Sequence, residues 1–167
     1  VQTCALPISS TSAISFTPSL SNGTDTVGTD TGGSAALEYY NGSNWVSASS
    51  GVTIAAGSTS VLVRTAITND SVYEGSETFS LSTGTITGTV TNSGAASGTG
   101  TIKDDGSSAN TFAANATSGT PTTGTANDDR PTVSVNNVTV SESSPYSVFT
   151  VSLSNYINTR SEEHTSE

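Results

Sequence analysis

The chain has 167 residues, 32% hydrophobic and 11% charged, and its four basic residues against fourteen acidic ones give a net charge of −10. So few Lys and Arg exclude the basic footprint that nucleic-acid binding needs. No stretch approaches the roughly 20 apolar residues of a membrane-spanning helix, so no membrane insertion is expected.

In chain order the ends come first, because they are related. One coding of residues 1–9, VQTCALPIS, has a reverse complement that reads RSEEHTSE, which is residues 160–167. Both ends are therefore expected to be translated sequencing adapter and to contribute nothing to fold or function. They carry the chain's cysteine, Cys4, and its histidine, His164. Residues 10–159 then have neither, which removes a Ser-His-Asp triad, a Cys nucleophile and a His-ligated zinc. Disulfides cannot supply their stability either.

Leu, Lys, Glu and Met are scarce, which disfavours helix. Thr and Val with frequent Gly and Asn favour short strands and tight turns. Period-two alternation predicts a strand at 14–17 and a hairpin of 37–40 and 45–48 across an Asn41-Gly42 turn. Further strands are predicted at 52–54, 60–67, 78–81, 86–90 and 99–102. SVLVRTAI, at 60–67, reads as the best central strand. Strands at such spacing imply a sandwich or barrel. Residues 107–131 are small, polar and punctuated by Gly and Pro, as in a linker; Phe112 is the residue there that could dock. Strand alternation restarts at 132–140 and 147–153.

The carboxylates gather at predicted strand ends: Asp30, Asp70, Glu74, Glu77, Asp104, Asp105, Asp128, Asp129 and Glu142. Strand ends distant in sequence meet at one pole of a sandwich, where uncompensated carboxylates repel unless a cation lies between them. Calcium fits such a group, because it takes six to eight oxygen ligands in flexible geometry. The bland alternative is a solvated acidic loop surface. Trp45, Tyr39 and Tyr40 are expected to cover a core, the alternative being a glycan-stacking platform. Glu74 and Glu77 leave a carboxylate-based glycoside hydrolase formally open.

The run ITNDSVYEGSETFSLS followed by GTGTIKDDG resembles the Calx-beta repeat of sodium–calcium exchangers and large bacterial surface proteins. The resemblance covers about 14–106 and restarts at 132. It implies an immunoglobulin-like antiparallel β-sandwich of about seven strands, all-β, with calcium (Ca2+) at one pole. Matched by position, it implies as metal ligands Asp70, Glu74 and Glu77 from the acidic turn and Asp104 and Asp105 from the ending. Asp30 matches the G-x-D element, and Glu142 follows the repeat's first strand. Asn69 stands where the family often has Asp, and Gly106 replaces a third acidic residue. The opening strands of the repeat come last here, so the chain is expected to be out of repeat frame. Residues 10–106 would be the body of one repeat and 132–159 the start of the next, folded back to complete the sandwich. The resulting expectation is a non-enzymatic, calcium-stiffened spacer of a secreted or cell-surface bacterial protein. Its partners would be neighbouring repeats, and host or matrix glycans or proteins through other domains. A carbohydrate-binding adhesive module is the alternative.

Overall fold

Short runs of Val, Ile, Thr and aromatic residues, cut every few residues by Gly, Asn and Ser, can form only short strands, and the computed structural model is built from them. It describes residues 12–124 and 126–154. The protein is all-β and sandwich-like, with a 3-10 turn at Ser34–Ala36 as the helical element among the described residues. Two compact units divide the chain: Val1–Asn69 with Glu77–Ile102 and Thr111–Thr122, and Asp70–Ser76 with Lys103–Asn110 and Thr123–Glu167. The expected adapter segments, 1–9 and 160–167, lie outside the described residues.

In the first unit, β1 (Ile14–Phe16) pairs antiparallel with β5 (Val52–Ile54). A second sheet joins β2 (Ser19–Asn22), β7 (Ser76–Ser82) and β8 (Ser97–Lys103), with β7 in the middle. A third places β3 (Glu38–Tyr40) between β4 (Trp45–Ser47) and β6 (Val63–Arg64). The predicted hairpin is β3–β4, in register Glu38↔Ser47 to Tyr40↔Trp45. Its turn is held by Asn41, whose Oδ1 accepts from the Ser43 and Asn44 amides at 2.9 and 2.8 Å, while Gly42 takes a φ of 97°.

Leu20, Leu37, Ala48 and Val52 are buried, with Phe16, Val27, Tyr39, Val61, Val63, Phe79 and Leu81 packed against them. All three sheets of this unit feed that cluster, which is what makes it sandwich-like. A Cβ on Gly100 would collide with the Phe79 ring, so a residue without a side chain is needed where β8 passes it. Tyr39 packs at the core, as expected. Trp45 is half-buried, 5.5 Å from the Tyr40 ring, with the Arg64 guanidinium carbon 4.2 Å over its own ring.

Three stretches differ from the expected pattern. Residues 60–67 form a two-residue strand at a sheet edge, not a central one, in which Arg64 lies opposite Glu38 and ion-pairs with it across the ladder at 2.7 Å. No strand forms at 86–90: Gly88 takes a φ of 130°, Gly84 just before the stretch one of 63°, and the Ser15↔Thr87 bridge is the strand-like pairing there. Alternation does not predict β2, which Pro18 precedes and which pairs with β7 from Ser19↔Ser82 to Asn22↔Phe79.

Within the predicted linker, β9 (Asn110–Thr111) and β10 (Thr122–Thr123) form a minimal ladder. The Ala116 carbonyl accepts from Trp45 Nε1 at 2.9 Å and the Ala114 carbonyl from Arg64 at 2.6 Å. Segment 111–122 is thus tied to the first unit by its backbone, while Phe112 stays 59% exposed. In the second unit, β11 (Val133–Val135) pairs antiparallel with β12 (Val151–Leu153) as a two-stranded ribbon. The expected pairing of 132–153 with 60–67 and 78–81 is absent from these ladders. Val133, Val135, Val148, Phe149 and Val151, expected to be buried, are each more than half exposed.

Candidate metal centre

The loop that follows β2 is stapled down on both sides. Thr24 and Thr78 bond each other three times, Thr78 N donating to Thr24 Oγ1 at 2.9 Å, Thr24 N to Thr78 Oγ1 at 3.3 Å, and the two hydroxyls meeting at 3.4 Å. The Asp25 amide then donates to the Thr78 carbonyl at 3.0 Å. A Cβ on Gly23 would collide with that same carbonyl, so the close approach needs glycine. Pinned in this way, Asp25 meets the β7 residue before Thr78, which is Glu77.

A second turn brings in Asp30. The amides of Thr29 and Asp30 both donate to the Thr26 carbonyl, at 2.9 and 3.3 Å, and Thr26 N donates back to Asp30 Oδ2 at 3.2 Å. Gly28 at φ 99° makes the reversal. The Thr68 amide holds the Asp30 carbonyl at 2.8 Å, anchoring the turn to the chain beyond β6.

Asp25, Asp30 and Glu77 converge as a result, each offering one carboxylate oxygen within 4.8 Å of the others. Among the described residues no other three His, Cys, Asp or Glu side chains meet in this way. Asp25 is 1% exposed. Its Oδ2 accepts from the buried Thr31 hydroxyl at 3.1 Å, and its Oδ1 has no hydrogen-bond partner. Burial pushes the Asp25 carboxyl above the ordinary aspartate range, the adjacent Asp30 pushes it further, and the Thr31 bond opposes them. A buried carboxylate oxygen without a donor is costly unless a proton or a cation faces it. Oxygen-only ligands of this kind suit a hard divalent cation of calcium type rather than zinc or copper.

The other ligands expected from the sequence have different engagements. Asp70 Oδ1 accepts from the Val72 amide at 2.8 Å, closing its own turn. Asp104 accepts from the amides of Glu74 and Asp129 at 3.1 and 3.2 Å. Burial raises its pKa, those two amides pull it back, and Asp129 raises it again. Asp105 takes both the amide and the hydroxyl of Ser107 around Gly106, whose φ is 74°, and the Ser107 bonds hold its pKa low. Asp128 is paired in a fork with Arg130 at 2.6 Å and is lowered by it. Glu142 is exposed in the turn closed by the Ser144 amide on the Ser141 carbonyl at 2.9 Å.

Of the expected ligands, the structure thus brings Asp30 and Glu77 together in one carboxylate group. It joins Glu74 to Asp104 through a backbone amide, and it leaves Asp70, Asp105 and Glu142 in local turns. Asp25 lies outside the set expected from the sequence. Its signal is the TDTVGTD run, in which two aspartates five residues apart flank a glycine turn and so can face the same point. No helix among the described residues is long and apolar enough to cross a membrane. No family model, curated protein or solved structure matches the chain.

Proposed function

We propose that this protein is a calcium-binding structural module: a non-catalytic spacer repeat of Calx-beta type from a secreted or cell-surface bacterial protein, stiffened by the ion. The observation that carries the reading is Asp25, fully buried, with Oδ1 unpartnered and two further carboxylates against it. Three converging carboxylates, each offering one oxygen, supply about half of a calcium shell, and water can complete the six to eight oxygens that the ion takes. Calcium would cancel the mutual repulsion and supply the partner that Oδ1 lacks. The ion would also cross-link β7, the loop after β2 and, through Asp30, the chain at Thr68. Such a clamp stiffens a sandwich without moving it, as a spacer requires. The face of Trp45 is already covered by Arg64, which leaves less aromatic surface for stacking a sugar.

The test is calcium titration by calorimetry, with thermal unfolding in calcium and in chelator. Binding that raises Tm in the wild type and is lost on substituting Asp25 supports the reading. An unchanged Tm at millimolar calcium refutes it.

A further inference from the structure

The chain holds two Asn-Gly dipeptides, Asn22-Gly23 and Asn41-Gly42. The pairing is reactive because glycine has no Cβ, so its backbone nitrogen can reach the side-chain carbonyl carbon of the asparagine before it. Attack there closes a five-membered succinimide and expels ammonia, and water opens the ring to aspartate or isoaspartate. Two identical dipeptides start from nearly the same intrinsic rate. What separates them is what the fold does to each.

Asn22-Gly23 is clamped. Asn22 ends β2 in register with Phe79 of β7. A Cβ on Gly23 would lie 2.3 Å from the Thr78 carbonyl oxygen, and Thr24 just beyond is bonded to Thr78 from both sides. Ring closure swings the main chain about the Asn–Gly link, so here it would have to break those contacts. Asn22 Oδ1 accepts a single bond, from the Val27 amide at 3.2 Å. Asn41-Gly42 sits instead at the exposed tip of the β3–β4 hairpin, where nothing lies within 4 Å of a Cβ built on Gly42. Two amides, of Ser43 and Asn44, donate to Asn41 Oδ1 at 2.9 and 2.8 Å and hold the side chain over the turn. Attack on Cγ makes that oxygen an oxyanion, and donors already aimed at it favour the developing charge.

We propose that Asn41-Gly42 is a self-modification site, at which the folded turn promotes deamidation while the fold protects Asn22-Gly23. The Gly42 nitrogen gives its proton to solvent and bonds to Asn41 Cγ. The Cγ–Nδ2 bond then breaks, and Nδ2 leaves as ammonia with a proton from solvent. Water adds to one of the two imide carbonyls and breaks its bond to nitrogen, so one water is consumed, one ammonia is released and one carboxylate is formed. In the isoaspartyl product the main chain gains a methylene inside the turn, and the Ser43 and Asn44 amides lose the acceptor geometry that closes it. The Tyr40↔Trp45 end of the hairpin loosens as the molecule ages.

The full chain, aged at physiological temperature and mildly alkaline pH both folded and in guanidinium chloride, tests this. Peptide mapping by mass spectrometry reads conversion at each dipeptide. In denaturant the two should react at similar rates. On folding, conversion at Asn22 should fall by at least about tenfold, while conversion at Asn41 should hold or rise. Gly42→Ala crowds the attacking nitrogen and should cut conversion at Asn41 by at least about tenfold without changing that at Asn22. Trp45 emission checks that the hairpin of the variant has formed, and if it has not, the folded and unfolded wild-type rates decide alone. Folding that protects Asn41 as strongly as Asn22 overturns the proposal. So do equal rates at the two sites in the folded chain, or a folded Gly42→Ala chain that converts as fast as the wild type.

Discussion

Asp25→Asn separates the cost of the buried charge from its use. The substitution keeps the shape and an oxygen for the Thr31 hydroxyl, and it removes the charge beside Asp30 and Glu77. In chelator the wild-type site carries repulsion with nothing to offset it, so the variant should melt at or above the wild-type temperature. In calcium the order should reverse. A ligand bound only by the folded state at about 100 times its Kd adds roughly 2.7 kcal/mol. At about 2–4 °C per kcal/mol for a chain of this size, Tm rises by roughly 5–11 °C in the wild type and far less in the variant.

The pH dependence carries a second sign. The folded pKa of Asp25 is raised above the ordinary 3.8. Without calcium, its contribution to stability is therefore full below that value and is lost as pH rises through the raised one. With calcium the ion competes with the proton, so the calcium-derived part is lost as pH falls through the same range. Differential scanning calorimetry between pH 3 and 8, with and without the ion, reads both. An Asp25→Asn chain that keeps the full calcium shift, or that melts well below wild type in chelator, would refute the reasoning.

Leu37→Ala, at a side chain with no exposed surface, should cost about 2–5 kcal/mol by urea denaturation; a loss under 1 kcal/mol would mean that this cluster is not the core. Arg64→Ala removes the contacts to Glu38, to the Trp45 ring and to the Ala114 carbonyl. It should lower stability by about 1 kcal/mol, shift Trp45 emission to the red, and speed proteolysis within 111–122. Asp105→Asn, whose carboxylate is engaged by Ser107 in a turn of the second unit, should leave the calcium-dependent rise in Tm intact.

The sequence by itself determined the class of structure. Period-two alternation, Asn-Gly and the scarcity of helix formers are local signals, and β-strands obey them at 14–16, 38–40, 45–47, 52–54 and 97–103. It also marked Asp30 and Glu77 as residues of interest, since uncompensated carboxylates at strand ends are visible without coordinates. Pairing partners were not visible. Strand alternation says which face a residue takes but not which neighbour supplies the hydrogen bonds. That is why 60–67 looked central and is an edge, and why 133–135 and 151–153 pair with each other.

The site needed the tertiary structure for the same reason. Asp25 gains its meaning from Thr24 bonding Thr78 and from Gly23 letting the backbones touch, contacts more than fifty residues apart in sequence. Those contacts, and not the spacing of acidic residues, bury one carboxylate among three and leave one of its oxygens unanswered. Burial is a property of everything folded around a group, so no local pattern can announce it.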